Sequence, residues 1–221
     1  MPRPLDGAVG ERLELAPQSA EFQERYERAT EFWKLERGQV YSEPGDESWE
    51  AFDRGDWEES LRLLEDRRAD FADRQRQNDA RGMMSRRVRI VSLPPSPYLH
   101  WELCLLRIRD EFEHHTRVVL DRDVAGLEDH GPLPDLNTLD TDVMYEIVYD
   151  GNGLPDHAIR YTDTALVRRC RDFIVSLYES SEPISDFFQR EIAPLPPPRP
   201  DRQAAPCDYA GKTGRQRSLR T

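Results

Sequence analysis

Residues 86–102 read Arg86-Arg87-Val88-Arg89-Ile90-Val91-Ser92-Leu93, then Pro94-Pro95-Ser96-Pro97, then Tyr98-Leu99-His100-Trp101-Glu102. A β-branched apolar run that halts at a serine, turns through prolines and restarts with helical periodicity has the pattern of strand, loop and helix. The strand is expected over 87–93 and the helix from Pro97 to about His114, where Leu99, Leu103, Leu106 and Phe112, with Trp101, Leu105 and Ile108, leave little of the circumference polar. Such a helix is expected to be covered on both sides. Thr116-Arg117-Val118-Val119-Leu120 is a second β-branched run. Strand, helix and strand at this spacing predict a right-handed parallel crossover.

Working outward, residues 1–18 read as a disordered arm, rich in Pro, Gly and charge. Phe22, Tyr26, Ala29, Phe32 and Trp33 fall at helical spacing and predict an amphipathic helix over 20–36, ended near Gly38. Gln39 to Ser42 reads as a short strand, cut off by Glu43-Pro44-Gly45-Asp46. Residues 48–79 read as helical, with a break at Gly55-Asp56 where Asp56 caps the second piece. Residues 123–139 read as a long irregular loop. Beyond it, 142–149 is expected to be a strand, Asp150-Gly151-Asn152-Gly153 a hairpin turn and 157–161 the returning strand. Asp163 caps a helix to about Tyr178, and a short helix follows Pro183. The expectation is α/β: a small mostly parallel sheet with a C-terminal β-hairpin, flanked by helices and preceded by a helical N-terminal segment. Residues 19–193 form the single domain, and 194–221 a disordered Pro-rich basic tail.

The chain has 221 residues, enough for one domain with a substantial core. Its net charge of -12 argues against binding duplex DNA by itself, because such binding draws its affinity from neutralised phosphates. The tail runs against the total, with Arg199, Arg202, Lys212, Arg215, Arg217 and Arg220 facing Asp201 and Asp208. RNA contact through that tail is the lesser reading, and a solvated tail the plainer one. Cys104, Cys170 and Cys207 lie far apart without zinc spacing, which fits reduced thiols in a cytoplasm. No run approaches the length of a membrane span.

In open α/β sheets ligands collect beyond the carboxyl ends of strands, where helix N-termini present free N–H groups. That rule selects Arg87, Arg89, Ser92, Tyr98 and Glu102. Tyr98 and Glu102 lie one turn apart on one helix face, where a phenol and a carboxylate can hold an ammonium group, while Ser92 offers a hydroxyl. The plainer reading makes Arg87 and Arg89 an exposed strand face and Glu102 a surface charge. Asp135, Asn137, Asp140 and Asp142 form an acid-rich segment, but calcium-loop spacing is absent. His114 and His115, with His100, His130 and His157, lack the H-E-x-x-H arrangement. No metal and no cofactor is assigned. The G-x-S-x-G, P-loop and G-x-G-x-x-G motifs are all missing from the sequence.

Trp33-Lys34-Leu35-Glu36 with Tyr41, then Arg87 to Ser92 with Tyr98 and Glu102, then the hairpin and its helix, resemble an uncharacterised actinobacterial family described as a domain of unknown function. The resemblance covers about residues 19–180. It implies a small cytoplasmic protein encoded beside helix-turn-helix regulators, and it marks Trp33 and Glu36 as packing or site-edge residues. A shorter likeness, Tyr98 to Glu102, is similar to the Tyr-aliphatic-x-x-Glu portion of cyclodipeptide synthases, which hold an aminoacyl group there. Cys104 stands where that family has proline, and its nucleophile motif is absent. The leading expectation is a non-enzymatic accessory or regulatory protein acting by protein contact, with a helix-turn-helix regulator as partner. The alternative is a small-molecule or aminoacyl-tRNA-dependent transferase with a pocket at Ser92, Tyr98 and Glu102.

Overall fold

A computed structural model describes Leu5 and residues 7–113, 115–129 and 131–200. The strands are β1 (Glu11–Leu13), β2 (Glu31–Glu36), β3 (Met84–Val91), β4 (Thr116–Leu120), β5 (Asp135–Leu139), β6 (Val143–Tyr149), β7 (Pro155–Tyr161) and β8 (Glu182–Pro183). The α-helices are α1 (Leu15–Tyr26), α2 (Glu47–Asp53), α3 (Trp57–Asp66), α4 (Arg68–Ala80), α5 (Pro97–Asp110), α6 (Asp121–Val124), α7 (Thr164–Ser180) and α8 (Ile184–Phe187). These strands make one eight-stranded mixed sheet in the order β1-β7-β6-β5-β2-β3-β4-β8.

The expected mostly parallel sheet is corrected. Only β2 with β3 and β3 with β4 run parallel among the described strands, and the other neighbours are antiparallel. The reason is β5, which lies inside the segment read as a loop and inserts between β2 and β6. Its sequence Asp-Leu-Asn-Thr-Leu follows two prolines and carries Asn at its centre, so little β-propensity marks it. It is held instead by ladders on both sides.

The second correction concerns residues 20–36. The helix stops at Tyr26, and Glu31–Glu36 is a central strand. Asp140, with φ of 48°, accepts from Thr30 N at 3.1 Å, Thr30 Oγ1 at 3.0 Å and Glu31 N at 2.9 Å, pulling the chain into the sheet. Aromatic residues at helical spacing on both sides of that bend are the two halves of one contact. Phe22 of α1 meets Phe32 of β2 with ring centroids 5.8 Å apart. Regular structure also begins earlier than Ser19, at β1 on the edge of β7, and Gln39 to Ser42 forms no strand.

Other expectations hold. The 48–79 region is helical in three pieces, and Asp56 accepts from Glu59 N at 3.2 Å to cap α3. Asp163 caps α7 through Leu166 N at 2.7 Å. β6 and β7 form the hairpin, with Asp150 Oδ1 accepting from Asn152 N and Leu154 N across its turn. Helix α5 follows β3 and is buried nearly all round.

The sheet is covered on both faces. Val88 and Ile90 of β3 point to one side with Trp33, Leu35 and Met144, where α7 supplies Val167, Cys170 and Ile174. On the other side α1 packs over Phe32 and Tyr145, and α5 packs against Val91 and Val118. Helices α2, α3 and α4 close over the outside of α5 through Phe52, Leu64, Phe71 and Trp101. No helix among the described residues is long and apolar enough to cross a membrane. The tail beyond residue 200, Cys207, His114 and His130 lie outside the described residues.

The cap of α2 carries a pH dependence. Asp46 accepts from Ser48 N and Trp49 N at 3.0 Å each and takes a two-pronged contact from Arg67 at 2.6 and 2.7 Å. Burial alone would raise this carboxyl, but Arg67 and the two amides hold it below its ordinary 3.8. A folded value below the unfolded one means the stabilisation is complete above about pH 4 and is lost as pH falls through the lower folded value. Asp46→Ala is therefore expected to cost about 1–2 kcal/mol near neutrality. The difference from wild type should shrink in acid, as urea unfolding at a series of pH values would show.

Candidate functional site

The period-2 alternation of β3 sends Val88 and Ile90 to the α7 side and Arg87 and Arg89 towards α5. The latter two are 2% and 0% exposed, so the reading of an exposed arginine face is corrected. Parallel pairing with β2 places Glu36 opposite Arg89 and on the same face. Arg87 Nη1 donates to Glu36 Oε2 at 2.6 Å, and Lys34 Nζ sits 2.6 Å from Glu36 Oε1. From α5, Glu102 Oε2 accepts from Arg89 Nε at 2.9 Å and Nη2 at 2.6 Å. Arg89 Nη1 completes its set on the carbonyls of Ile90 and Glu36, at 3.0 and 3.3 Å.

An arginine at zero exposure would be costly if left alone. Burial pulls the Arg89 guanidinium down, yet the charges of Glu102 and Glu36 hold it above its ordinary value. Tyr41 lies under its guanidinium, 5.7 Å from ring centroid to Cζ. The layer continues along α5, where Arg109 donates to Glu113 at 2.7 and 3.1 Å and burial brings its pKa down to about 10. Some polar atoms in this layer have no partner among the described residues. They are Arg87 Nε and Nη2 and Glu102 Oε1.

The seven residues marked in the sequence are thus separated. Arg87 with Glu36 and Arg89 with Glu102 form adjoining buried pairs. Tyr98 donates instead to Glu43 Oε1 at 2.8 Å, beneath α2. Ser92 donates to Asp121 Oδ2 at 2.6 Å, and its amide donates to Gln39 Oε1 at 2.8 Å. Trp33 lies on the other sheet face, edge-on to Tyr178 at 5.3 Å. The acid-rich segment is likewise divided, because Asp140 holds the start of β2 while Asp135 receives the Tyr41 hydroxyl and the amides of Arg37 and Gly38. Burial pushes the Asp135 carboxyl up, against the lowering effect of Tyr41.

Sequence reasoning missed Arg37, Gln39 and Glu128 and used Tyr41 only as part of the family resemblance, although all four surround the end of β2. Arg37 makes a paired contact with Glu128 at 2.6 and 2.8 Å. Gln39 bridges the strand ends, donating to Arg37 O and Ile90 O while accepting from Ser92. With residues 20–36 read as helix and Gln39 to Ser42 as a strand, the connection from the end of β2 to the cap of α2 was hidden, and such connections carry sites.

Arg37 and Gln39 form one end of an open groove of about 640 Å³. It runs from Arg37 and Gln39 past Leu133 to Glu146, Val148 and Tyr161, and Leu5 also lines it. None of its lining residues belongs to α7, although Tyr161 and Leu133 are also part of the core beneath that helix. The groove is therefore sheet surface beside α7. Its polar walls are internally paired, with Tyr161 donating to Glu146 Oε2 at 2.9 Å.

The model of a family described as a domain of unknown function, DUF6879, matches residues 20–189. No curated protein matches. Two solved structures are similar at 11% identity. One is TrmBL2, an archaeal chromatin protein described as showing a novel mode of DNA binding, with a TM-score of 0.38 over 79% of this chain and 53% of that one. The other is NucT from Helicobacter pylori, with a TM-score of 0.37 over 79% of this chain and 98% of that one. The chain thus spans about half the length of the chromatin protein.

Proposed function

We propose that this chain, which belongs to the DUF6879 family, is a non-enzymatic accessory or regulatory protein that acts in the cytoplasm by contact with another protein. One observation carries the reading: the charged residues that could serve a reaction are internally bound, whereas an open groove lies on the sheet face beside α7. A groove with aliphatic and aromatic walls and paired charges suits a polypeptide segment, which adds contact area without demanding a buried charge of its own. The resemblance to a family encoded beside regulators makes a helix-turn-helix protein the first partner to try. A transferase pocket at Ser92, Tyr98 and Glu102 finds less support, since the three side chains serve Asp121, Glu43 and Arg89 respectively.

The test is site-specific photo-crosslinking in the native cell. A benzophenone side chain at Val148, in the groove, is expected to give a discrete protein adduct. The same group at Arg62, exposed on α3, is expected to give none. Absence of any protein adduct at Val148 would overturn the reading, and a small molecule that co-purifies with the protein would then point to a ligand in its place.

A further inference from the structure

The described N-terminal residues run along β7 to the groove. β1 pairs with β7 through Glu11 opposite Arg160, Arg12 opposite Ile159 and Leu13 opposite Ala158. Just before it, Gly10 is pressed onto β7 so closely that a Cβ there would lie 2.4 Å from Ile159 Cγ2 and 2.7 Å from Tyr161 Cε1. Only glycine permits that approach. The chain then turns, with Gly7 at φ of 71° and Ala8 N donating to Leu5 O at 3.0 Å. This turn sorts the side chains. Val9 is 93% exposed, whereas Leu5 and Ala8 pack against the core beneath α7, and Leu5 lines the groove.

We propose that the groove docks an extended peptide segment bearing an aliphatic side chain, and that Leu5 is its intramolecular stand-in, to be displaced when the partner binds. The inference rests on the reading of the groove as a protein-contact site and adds the chemistry of the occupant and its control. The side chain already at the groove identifies that chemistry, because the core cluster to which Leu133 and Tyr161 belong accepts an aliphatic group here. A strap whose ladder on β7 is three residue pairs, with surface ion pairs of Glu11 to Arg160 and Arg12 to Asp156, can exchange more readily than the sheet interior. A partner must then compete with it, and its apparent affinity falls by the fraction of molecules in which the strap is closed.

The experiment uses the full chain with Cys207→Ser, in which the remaining cysteines, Cys104 and Cys170, are both buried. Val148→Cys reports groove access through its rate of reaction with N-ethylmaleimide. Adding Leu5→Asp is expected to raise that rate about tenfold by opening the strap. Val9→Asp, at an exposed position, should leave it unchanged. Gly10→Val offers a second way to lift the strap, through its clash with Ile159 and Tyr161. A synthetic peptide of residues 1–13, added to the Leu5→Asp protein, should restore protection, and the same peptide with Asp in place of Leu5 should not. An unchanged rate in both the Leu5→Asp and Gly10→Val proteins would overturn the inference, as would failure of the leucine peptide to protect. The two claims fail separately. A cellular adduct at Val148 that Leu5→Asp does not increase overturns the strap alone, whereas peptide protection without any cellular protein adduct overturns the proposed function alone.

Discussion

Replacing Glu102 by glutamine is expected to lower the free energy of unfolding by about 3–5 kcal/mol, although the change alters only one atom in size and shape. Arg89 is the reason. It is fully buried, and both Nε and Nη2 donate to the same Glu102 oxygen. Arginine does not escape by losing its proton, so the variant must either keep an uncompensated charge in the interior or open to water. The two carbonyls that receive Nη1 remain, which places the expected loss nearer the lower end of the range. A surface carboxylate treated the same way would change stability by less than about 0.5 kcal/mol. Urea unfolding of wild type and variant therefore separates the two situations. A loss below 0.5 kcal/mol would remove the ion pair from the interior.

The same pair permits a second comparison. Two charges in a dry interior gain from each other about what their desolvation costs, so an apolar pair of similar volume often does as well. Arg89→Met combined with Glu102→Leu is thus expected to recover most of the stability lost in Glu102→Gln. Its value lies in what else it changes. If groove access and cellular cross-linking survive in the double variant, the buried layer is scaffolding for the end of β2, and the protein's contacts are made elsewhere.

How much of this was legible follows from where each segment gets its information. The unit from β3 through α5 to β4 was readable because β-branched residues, a proline turn and a fully apolar helix all agree locally. The hairpin and the helix starts at Asp56 and Asp163 were readable for the same reason, since turn and cap chemistry is local. β2 was not. Its aromatic residues continue the spacing of α1, and the residues that end the helix and turn the chain into β2, Arg81 and Asp140, lie far along the chain. β5 carries Asn137 and follows two prolines, so its strand character exists only in its ladders with β2 and β6. In the site, Arg87, Arg89 and Glu102 were marked as ligand-binding candidates and Glu36 as a packing or site-edge residue, and all four meet in buried ion pairs. Alternation along a strand cannot tell a wet face from one buried under a helix, however, and the expected exposure of the arginines failed on that point. Ser92 and Tyr98 seemed to converge because they flank one turn, but the turn sends them to different neighbours.

Trp101→Ala is expected to cost about 3–5 kcal/mol, the range for removing a large aromatic side chain from a packed core. Trp101 is 1% exposed and lies where α5 meets its outer helices. It stacks on Phe52 of α2 with centroids 6.4 Å apart and tilts against Tyr98 at 5.6 Å. Its indole N–H donates to Ser48 Oγ at 3.0 Å, and that hydroxyl in turn donates to the carbonyl of Ser60 in α3 at 2.9 Å. One ring therefore joins α5 to both α2 and α3, by apolar area and through a buried polar chain. Alanine removes the area and leaves the Ser48 hydroxyl one partner short, which adds to the cost of the cavity. Trp101→Phe keeps most of the area and loses the N–H, so it should fall well short of the alanine variant. The spatial pattern is as informative as the size. Hydrogen exchange in Trp101→Ala should quicken first in α2 and α3, which depend on this contact, and later in β2 and β3, which are held by the sheet. Uniform quickening across helices and sheet would show instead that the outer helices and the sheet unfold as one unit.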